Sequence, residues 1–371
     1  MIEMETRKIQ TTKSGSYFVT LPKPWVEKLD IEKNKELMMS IDEDNNLVIY
    51  PLRNQESYVN EFILPIEDYL EENSLERCIN SSYIQGADII NIASKNTIAL
   101  EKKRLLKDAV SNLIGTEISE EFANRISIRI LVDPLKFPLA NLINRIYMLV
   151  SSMHADAVKA FQESDKILAE DVINREREVD KLFFLMIRQL NLSLTNRLNL
   201  SDICMSAIKI DCVLGIVLAR DLSKMAHYAA EIAKECVKLV EKESIKLIDK
   251  ELKEYISKMS RFTIKMQQNA ILAFFKSDFM RANNVLNDIQ EVIEFDHKTE
   301  QMVLDQVKDN NLIVSLITIS RNLRNIANSA VDVAQDLQAK YRPKETYKRE
   351  FSPEQMPNAL DIVTSLGNEK E

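Results

Sequence analysis

The sequence predicts a multidomain protein with a small β-rich N-terminal unit, an αβ connector and a long all-α region built from two related halves. At 371 residues the chain is long enough to bury several separate cores. From Leu139 to Tyr341 it contains no proline and a single glycine, Gly215, which is typical of long helices. A segment that begins at Val172 returns in altered form at Val292, which indicates a duplicated module.

Residues 1–52 are predicted to form four short strands and one helix. The first two strands flank the turn Ser14-Gly15-Ser16, and the helix that follows starts with Pro22 and Pro24. Two further strands, residues 37–40 and 47–50, flank an acidic turn. A unit of about 50 residues buries too little apolar surface to be stable alone. We therefore expect a partner to complete its core.

This N-terminal segment resembles the AbrB/SpoVT/MazE family of swapped-hairpin proteins. Its most specific element is the run Val19-Thr-Leu-Pro-Lys23, and the other matching positions are Arg7, Lys8, Gly15, Ser16, Trp25 and Leu29. The glycine that the family usually carries before its third strand is absent, and Asn34-Lys35 stand there instead. The resemblance implies an interleaved, homodimeric swapped-hairpin β barrel that binds DNA near its first hairpin.

The charges of this segment agree with DNA binding. Four cations and no acid lie between Arg7 and Trp25, although the whole chain has a net charge of −8. Cations at a hairpin contact phosphates, and a dimer doubles those contacts. The candidate DNA-binding residues are Arg7, Lys8, Lys13, Ser16 and Lys23. Two alternatives remain: the unit only dimerises, or it binds a toxin as MazE relatives do, which the roughly 300 residues that follow disfavour.

Residues 55–137 are predicted to form an αβ connector domain. The expected elements are a weakly helical link at 56–73, helices at 74–86 and 95–113, and strands at 88–93 and 127–133. The chain contains neither GxGxxG nor GxxxxGK[ST], so no motif selects a phosphate ligand. The arrangement of Gly86 before Asp88-Ile-Ile resembles the connector of archaeal proteins that join such a hairpin domain to a helical one. The function of the connector stays open.

The region after residue 137 is predicted to contain two sets of three helices. The first set, residues 138–243, has helices near 139–163, 165–197 and 201–242, and the second, residues 244–342, has helices near 244–276, 278–308 and 311–341. Matched segments in the third helices align Arg220 with Arg321 and Ala226 with Ala327. These matches support an internal duplication. Residues 343–371 are expected to form a C-terminal tail with a short helix near 353–366.

Each predicted second helix carries two carboxylates on one face. Glu176 and Asp180 in the first copy, and Asp296 and Glu300 in the second, are spaced i, i+4, which places both side chains on the same side of a helix. Hard cations prefer several oxygen ligands, so each pair is a candidate ligand set. A pair of this kind is also common on a solvated helix face, and both interpretations stay open.

With duplicated helices and paired carboxylates, the region resembles the PhoU family, whose fold is two three-helix bundles. The resemblance implies a divalent metal or iron held by acids of the second and third helices. In the third helices Ser223 and Arg324 replace the glutamate of the family motif, and His227 and Asn328 replace its aspartate. The metal-site candidates are therefore Glu176, Asp180 and His227, and, in a second set that lacks a histidine, Asp296 and Glu300.

Enzymatic chemistry is not expected. A di-iron bundle enzyme needs two Glu-x-x-His motifs, and only Glu294 and His297 have that spacing. The chain has three histidines and no GxSxG elbow for a nucleophile. It also shows no signal-peptide pattern and no membrane-spanning apolar run. The four cysteines, which lack CxxC spacing, indicate reduced thiols in a cytoplasmic protein: Cys78, Cys204, Cys212 and Cys236.

Together these features predict a non-enzymatic, homodimeric, cytoplasmic regulator. DNA is the expected partner of the N-terminal unit, and the helical end is expected to sense a signal or a protein partner. By resemblance, the process is phosphate uptake and homeostasis, controlled at transcription. The alternative is an adaptor that does not bind DNA and regulates a phosphate transporter or sensor kinase by protein contact.

Overall fold

The computed structural model describes residues 6–13, 15–31, 36–41, 47–51, 59–69, 71, 73–195, 197–198, 203 and 209–340. These residues belong to two compact units, Met1–Asn60 and Glu61–Glu371. The predicted acidic turn, the Asn34-Lys35 position and the predicted C-terminal tail with its short helix lie outside the described residues.

The first unit contains two hairpins and one short helix. Its elements are β1 (Gln10–Thr11), β2 (Tyr17–Phe18), α1 (Lys23–Lys28), β3 (Leu37–Ile41) and β4 (Leu47–Pro51). The four strands and the helix expected from the sequence are confirmed. β1 pairs with β2, and β3 with β4, in two separate antiparallel sheets. The described residues of one chain therefore do not close a barrel, and the swapped-hairpin barrel stays a prediction for the dimer.

The first unit exposes its apolar side chains. Every described residue from 6 to 51 whose burial is known is exposed or partly exposed. The large apolar residues with the highest exposure are Ile9, Tyr17, Met39, Ile41 and Leu47, which are 57–76% exposed. Burying such residues is the main driving force of folding, and the residues of this unit whose burial is known form no core within a single copy.

The second unit begins with a mixed four-stranded sheet and two helices. The elements are β5 (Glu61–Pro65), α2 (Ser74–Ile84), β6 (Ile89–Ala93), α3 (Leu100–Ser111), β7 (Thr116–Glu121) and β8 (Arg125–Ile130). The strand order is β5-β6-β8-β7, and only β5 and β6 are parallel. Alternate residues of the sheet, with one face of each helix, form a buried core that includes Ile79, Ile90, Leu106 and Ile128.

Two elements of the connector differ from the prediction. The segment expected to be weakly helical contains strand β5, because Phe62 and Leu64 alternate with exposed residues and pack on the core. The polar residues around this short strand hid its alternation. β7 also adds an acidic edge strand, in which Ile118 supplies the core contact. α3 starts at Leu100, five residues later than predicted.

Six long helices follow and confirm the two predicted three-helix sets. They are α4 (Leu139–Glu163), α5 (Lys166–Leu194), α6 (Lys209–Glu241), α7 (Lys250–Lys276), α8 (Phe279–Gln306) and α9 (Asn310–Lys340). Within each set the three helices contact one another, and the sets meet through α6 against α9 and α4 against α7. None of the helices in the described part of the chain combines the length and apolarity needed to cross a bilayer.

The turn before each second helix is repeated as well. Ser164 and Ser277 both have left-handed backbone, with φ of +58° and +52°. The next residue caps the helix: Asp165 accepts from the Leu168 amide at 3.0 Å, and Asp278 accepts from the Arg281 amide at 3.0 Å. This Ser-Asp turn is further evidence of duplication.

The third helices of the two repeats, α6 and α9, pack against each other. Their alanines Ala226, Ala230, Ala327 and Ala330 are at most 1% exposed and belong to the common core. Lys224 of α6 lies near Asp332 of α9, whereas a residue later in α6, Glu235, meets the earlier Ser315 of α9. The two helices are therefore antiparallel, and one continuous core joins both repeats.

Candidate functional site

The first hairpin is closed by contacts between Thr12 and Ser16. The Thr12 amide donates to the Ser16 carbonyl at 2.9 Å, and the Ser16 amide donates to the Thr12 hydroxyl at 3.1 Å. Gly15 has φ of +87°, a conformation that disfavours a Cβ. Ser16 therefore has a structural role in the turn, and its contact with DNA stays a prediction.

The predicted cations of this unit lie on its surface. Arg7, Lys8 and Lys13 are exposed. Lys23 of α1 is 3.6 Å from Glu27, with the two side chains 86% and 64% exposed. Exposed ion pairs contribute about 1 kcal/mol or less, so a phosphate competes readily for Lys23.

In the first repeat, Glu176 of α5 faces His227 of α6. The distance between Glu176 Oε1 and His227 Nδ1 is 2.9 Å, and Lys234 Nζ lies 3.8 Å from Glu176 Oε2. Asp180, one turn along α5, is partly buried; this burial, with a further contribution from the Glu176 charge, raises its pKa to about 6. The structure thus brings Glu176 and His227 together, as expected from the sequence.

In the second repeat, arginines of α9 neutralise the carboxylates. Asp296 is 1% exposed, and it accepts from the Ser320 hydroxyl at 2.6 Å and from Arg324 Nη1 at 3.2 Å. Glu300 accepts from Arg321 Nη2 at 3.1 Å. This pair is therefore a set of salt-bridge acceptors.

The two carboxylate pairs lie at different distances from the N-terminal ends of their helices. Glu176 lies 11 residues after its capping Asp165, whereas Asp296 lies 18 residues after Asp278. Seven residues correspond to about two helical turns. Asp296 accordingly contacts Ser320 and Arg324, which precede the counterpart of His227 along the third helix. Aligning the two pairs by sequence alone did not show this difference.

No group of three or more His, Cys, Asp or Glu side chains in the described part of the chain is placed to hold a metal ion. The acids and histidine of the first repeat have the right ligand chemistry, and metal binding there stays a prediction. The acids of the second repeat do not fit a metal, because a guanidinium group already binds one oxygen of each acid and Ser320 binds the other oxygen of Asp296.

An acidic cluster at the contact between the third helices was missed by the sequence analysis. Asp221 of α6 lies with Asp332 and Asp336 of α9, and Lys224 is 2.9 Å from Asp221 and 4.0 Å from Asp332. Burial, with the neighbouring acids, raises the pKa of Asp336 to about 6. Burial also raises the pKa of Asp221. One lysine thus compensates several acids, and only the packing of α6 on α9 brings them together.

A buried arginine joins the connector to the first repeat. Arg188 of α5 is 3% exposed and donates to the Tyr83 carbonyl at 2.7 Å, with its guanidinium 5.0 Å from the Tyr83 ring centre. Asp88 is 3.7 Å away, and Arg197 also binds it at 2.7 Å. Arg188 lies inside the apolar run Phe183–Leu192 of the sequence. A charged residue in such a run indicates a buried side chain that needs a polar partner.

A second buried polar contact joins the two repeats. His154 of α4 is fully buried, with Nδ1 3.0 Å from Gln267 Oε1 and Nε2 3.1 Å from the Ser260 hydroxyl, both on α7. Burial lowers the pKa of His154 to about 4. The imidazole is therefore neutral at pH 7. The thiols of Cys78 and Cys236 are free, whereas the side chains of Cys204 and Cys212 are outside the described set.

Two three-helix bundles that pack through their third helices, with a cationic hairpin unit at the N-terminus, define a duplicated helical-bundle protein. Residues 143–236 and 256–337 match the family model of the PhoU domain. Residues 10–56 match the model described as antidote-toxin recognition MazE, bacterial antitoxin. The helical region of the chain therefore matches the PhoU domain, and its N-terminal segment matches the MazE model. PhoU domains occur in non-enzymatic regulators of phosphate homeostasis.

Solved structures of PhoU proteins resemble part of the chain. PhoU from Pseudomonas aeruginosa is 18% identical with a TM-score of 0.46, and the match covers 54% of this chain and 93% of that one. The phosphate transport system regulatory protein PhoU from Streptococcus pneumoniae is 17% identical with a TM-score of 0.43, over 54% and 91% of the two chains. No protein with a curated description matches the chain.

Proposed function

We propose that this protein is a cytoplasmic, homodimeric transcription regulator of phosphate uptake that binds DNA through its N-terminal unit. The observation that carries the proposal is the surface of that unit, where the exposed cations Arg7, Lys8, Lys13 and Lys23 lie in a stretch, residues 7–25, that contains no acid. The MazE-type match and the PhoU domain are compatible with this function.

The exposed apolar residues of the same unit support dimerisation. Tyr17 is 76% exposed, Ile41 is 72% exposed and Leu47 is 57% exposed. A second copy would bury these side chains and would double the number of cations that face the phosphates. Two linked DNA-binding units would also contact two half-sites. The rest of the chain could then control DNA binding by changing the distance between the two units.

In the proposed mechanism, a signal or protein partner binds the helical unit and changes the spacing or orientation of the paired N-terminal units. DNA affinity then depends on occupancy of the helical unit, and by linkage DNA changes the affinity for the partner by the same factor. Glu176, Asp180 and His227 are the residues we assign to such a signal in the first repeat, with a divalent metal as the candidate ligand.

Gel-shift measurements with the full chain at low salt test DNA binding. The variant Arg7→Ala/Lys13→Ala removes two cations from the hairpin, and Lys95→Ala/Arg104→Ala removes two exposed cations from the connector as a matched control. We expect the first variant to weaken binding and to reduce its salt dependence, while the control leaves both unchanged. Equal loss in both variants would show that only net charge matters.

The alternative is an adaptor that regulates a phosphate transporter or sensor kinase by protein contact, with the N-terminal unit serving only for dimerisation. The PhoU domain carries this alternative without any contribution from DNA. Absence of DNA binding by the full chain at low salt, together with an intact dimer in solution, would favour the adaptor over the DNA-binding regulator.

A further inference from the structure

We propose that Arg324 and Arg321 take the place of a metal ion in the second repeat, so that this bundle is held together by internal cations and is closed to added metal. The inference concerns the stability and metal content of the helical unit and does not depend on DNA binding. It assigns any divalent cation that the chain binds at its carboxylate pairs to the first repeat.

The oxygens of Asp296 are already occupied. Oδ1 accepts from the Ser320 hydroxyl at 2.6 Å, and Oδ2 accepts from Arg324 Nη1 at 3.2 Å. Asp296 and Ser320 are 1% and 0% exposed. A buried carboxylate requires both hydrogen bonds and a compensating charge, and these two neighbours supply them.

The second acid of the pair is neutralised in the same way. Glu300 is 3.1 Å from Arg321, which lies three residues before Arg324 on α9. Neighbours three residues apart share a helix face. Both carboxylates of α8 therefore face a cationic surface of α9, where the side chain of Arg324 is 35% exposed and that of Arg321 is 63% exposed.

A metal ion does not fit this arrangement. A hard cation needs several oxygen ligands, and it would have to displace the guanidinium group from Asp296. An arginine side chain stays protonated in proteins and offers no acceptor, so it repels a cation at every accessible pH. The first repeat differs, since the same position of its motif is Ser223 and the facing side chain is His227, which is a competent ligand when neutral. Its nearest cation, Lys234, is 3.8 Å from Glu176 and binds Glu231 more closely, at 2.7 Å.

The first test is a double-mutant cycle in the full chain with Asp296→Asn, Arg324→Met and both changes together. Arg324→Met leaves the buried Asp296 carboxylate without its charged partner, and Asp296→Asn leaves Arg324 without its counter-charge, so each variant is expected to lower Tm. The double variant should lower Tm by clearly less than the sum of the two single effects. The exposed pair Glu254 and Arg261, at 2.9 Å, provides the control cycle, which is expected to be nearly additive. Additive losses at Asp296 and Arg324 would overturn the proposal.

The second test measures bound metal after dialysis of the full chain against Mn²⁺. The variant Asp296→Asn/Glu300→Gln is expected to hold the same amount of Mn²⁺ per chain as the unmodified protein, whether that amount is zero or one. Glu176→Gln/Asp180→Asn is the matched change in the first repeat, and any bound Mn²⁺ should be lost there. Loss of Mn²⁺ from the second-repeat variant would refute the assignment, as would Mn²⁺-dependent protection of α8 in hydrogen exchange.

Discussion

Replacing Asp336 by asparagine is expected to stabilise the protein at neutral and alkaline pH. Asp336 of α9 lies at the contact with α6, where Asp221, Asp332 and Lys224 are the charged groups that act on it. In the described structure, a buried oxygen of Asp336 and one of Asp221 have no hydrogen-bond partner. Asparagine keeps the shape of the side chain and removes one negative charge from this cluster.

The magnitude and sign follow from the pKa of Asp336, which rises from 3.8 to about 6. An acid with a higher pKa in the folded chain holds its proton more tightly there, so its contribution to stability is fully present below pH 3.8 and is lost as the pH rises through about 6. At about 1.4 kcal/mol per pKa unit, the loss is at most about 3 kcal/mol. Because solvent screens this partly exposed carboxylate, Asp336→Asn should recover only part of that free energy above pH 6, and much less of it below pH 6.

Urea unfolding followed by circular dichroism measures the effect. We expect the difference in unfolding free energy between Asp336→Asn and the unmodified chain to be largest at about pH 8 and to fall by roughly half at about pH 5. Asp305→Asn removes an exposed acid from α8 and should have little effect at either pH. A constant advantage of Asp336→Asn at both pH values, or a loss of stability, would refute the reasoning about the acidic cluster.

Three further substitutions test other parts of the second unit. Gly115→Ala should cost at least about 1–2 kcal/mol, because φ is +72° and a Cβ would lie 2.9 Å from the Val132 backbone nitrogen; urea unfolding showing no loss would contradict this. Arg188→Met should destabilise the chain by about 1.5–3 kcal/mol and speed proteolysis of the connector, because the buried Tyr83 carbonyl loses its charged donor. Arg197 is more exposed, so Arg197→Met should lower the unfolding free energy by less. His154→Gln should reduce the loss of unfolding free energy on acidification. The pKa of His154 is about 4 in the folded chain instead of 6.5, so the unfolded chain takes up the proton first as the pH falls. If the unfolding free energy of the variant had the same pH dependence as that of the unmodified chain between pH 6.5 and 4, a buried neutral histidine would be refuted.

Local patterns in the sequence determined the helical architecture of this protein. The near absence of proline and glycine after Leu139 and the apolar periodicity predicted six helices, and the bounds of four of them agree with the structure within three residues. α6 and α7 start later in the structure than predicted, at Lys209 and Lys250. The repeat of the third-helix segments identified the duplication. These features depend on neighbours within a few turns, so a contiguous stretch of chain encodes them. Strand β5 was missed because its alternation spans only five residues.

Only the tertiary structure decided which side chains face each other across helices. The sequence placed Glu176 and Asp296 in the same role, yet the first meets His227 and the second meets Arg324. The cluster around Asp336 likewise depends on the antiparallel register of α6 and α9. Core packing along whole helices sets that register, and a shift of one turn changes every cross-helix partner. Local sequence patterns therefore could not predict which side chains of distant segments contact each other.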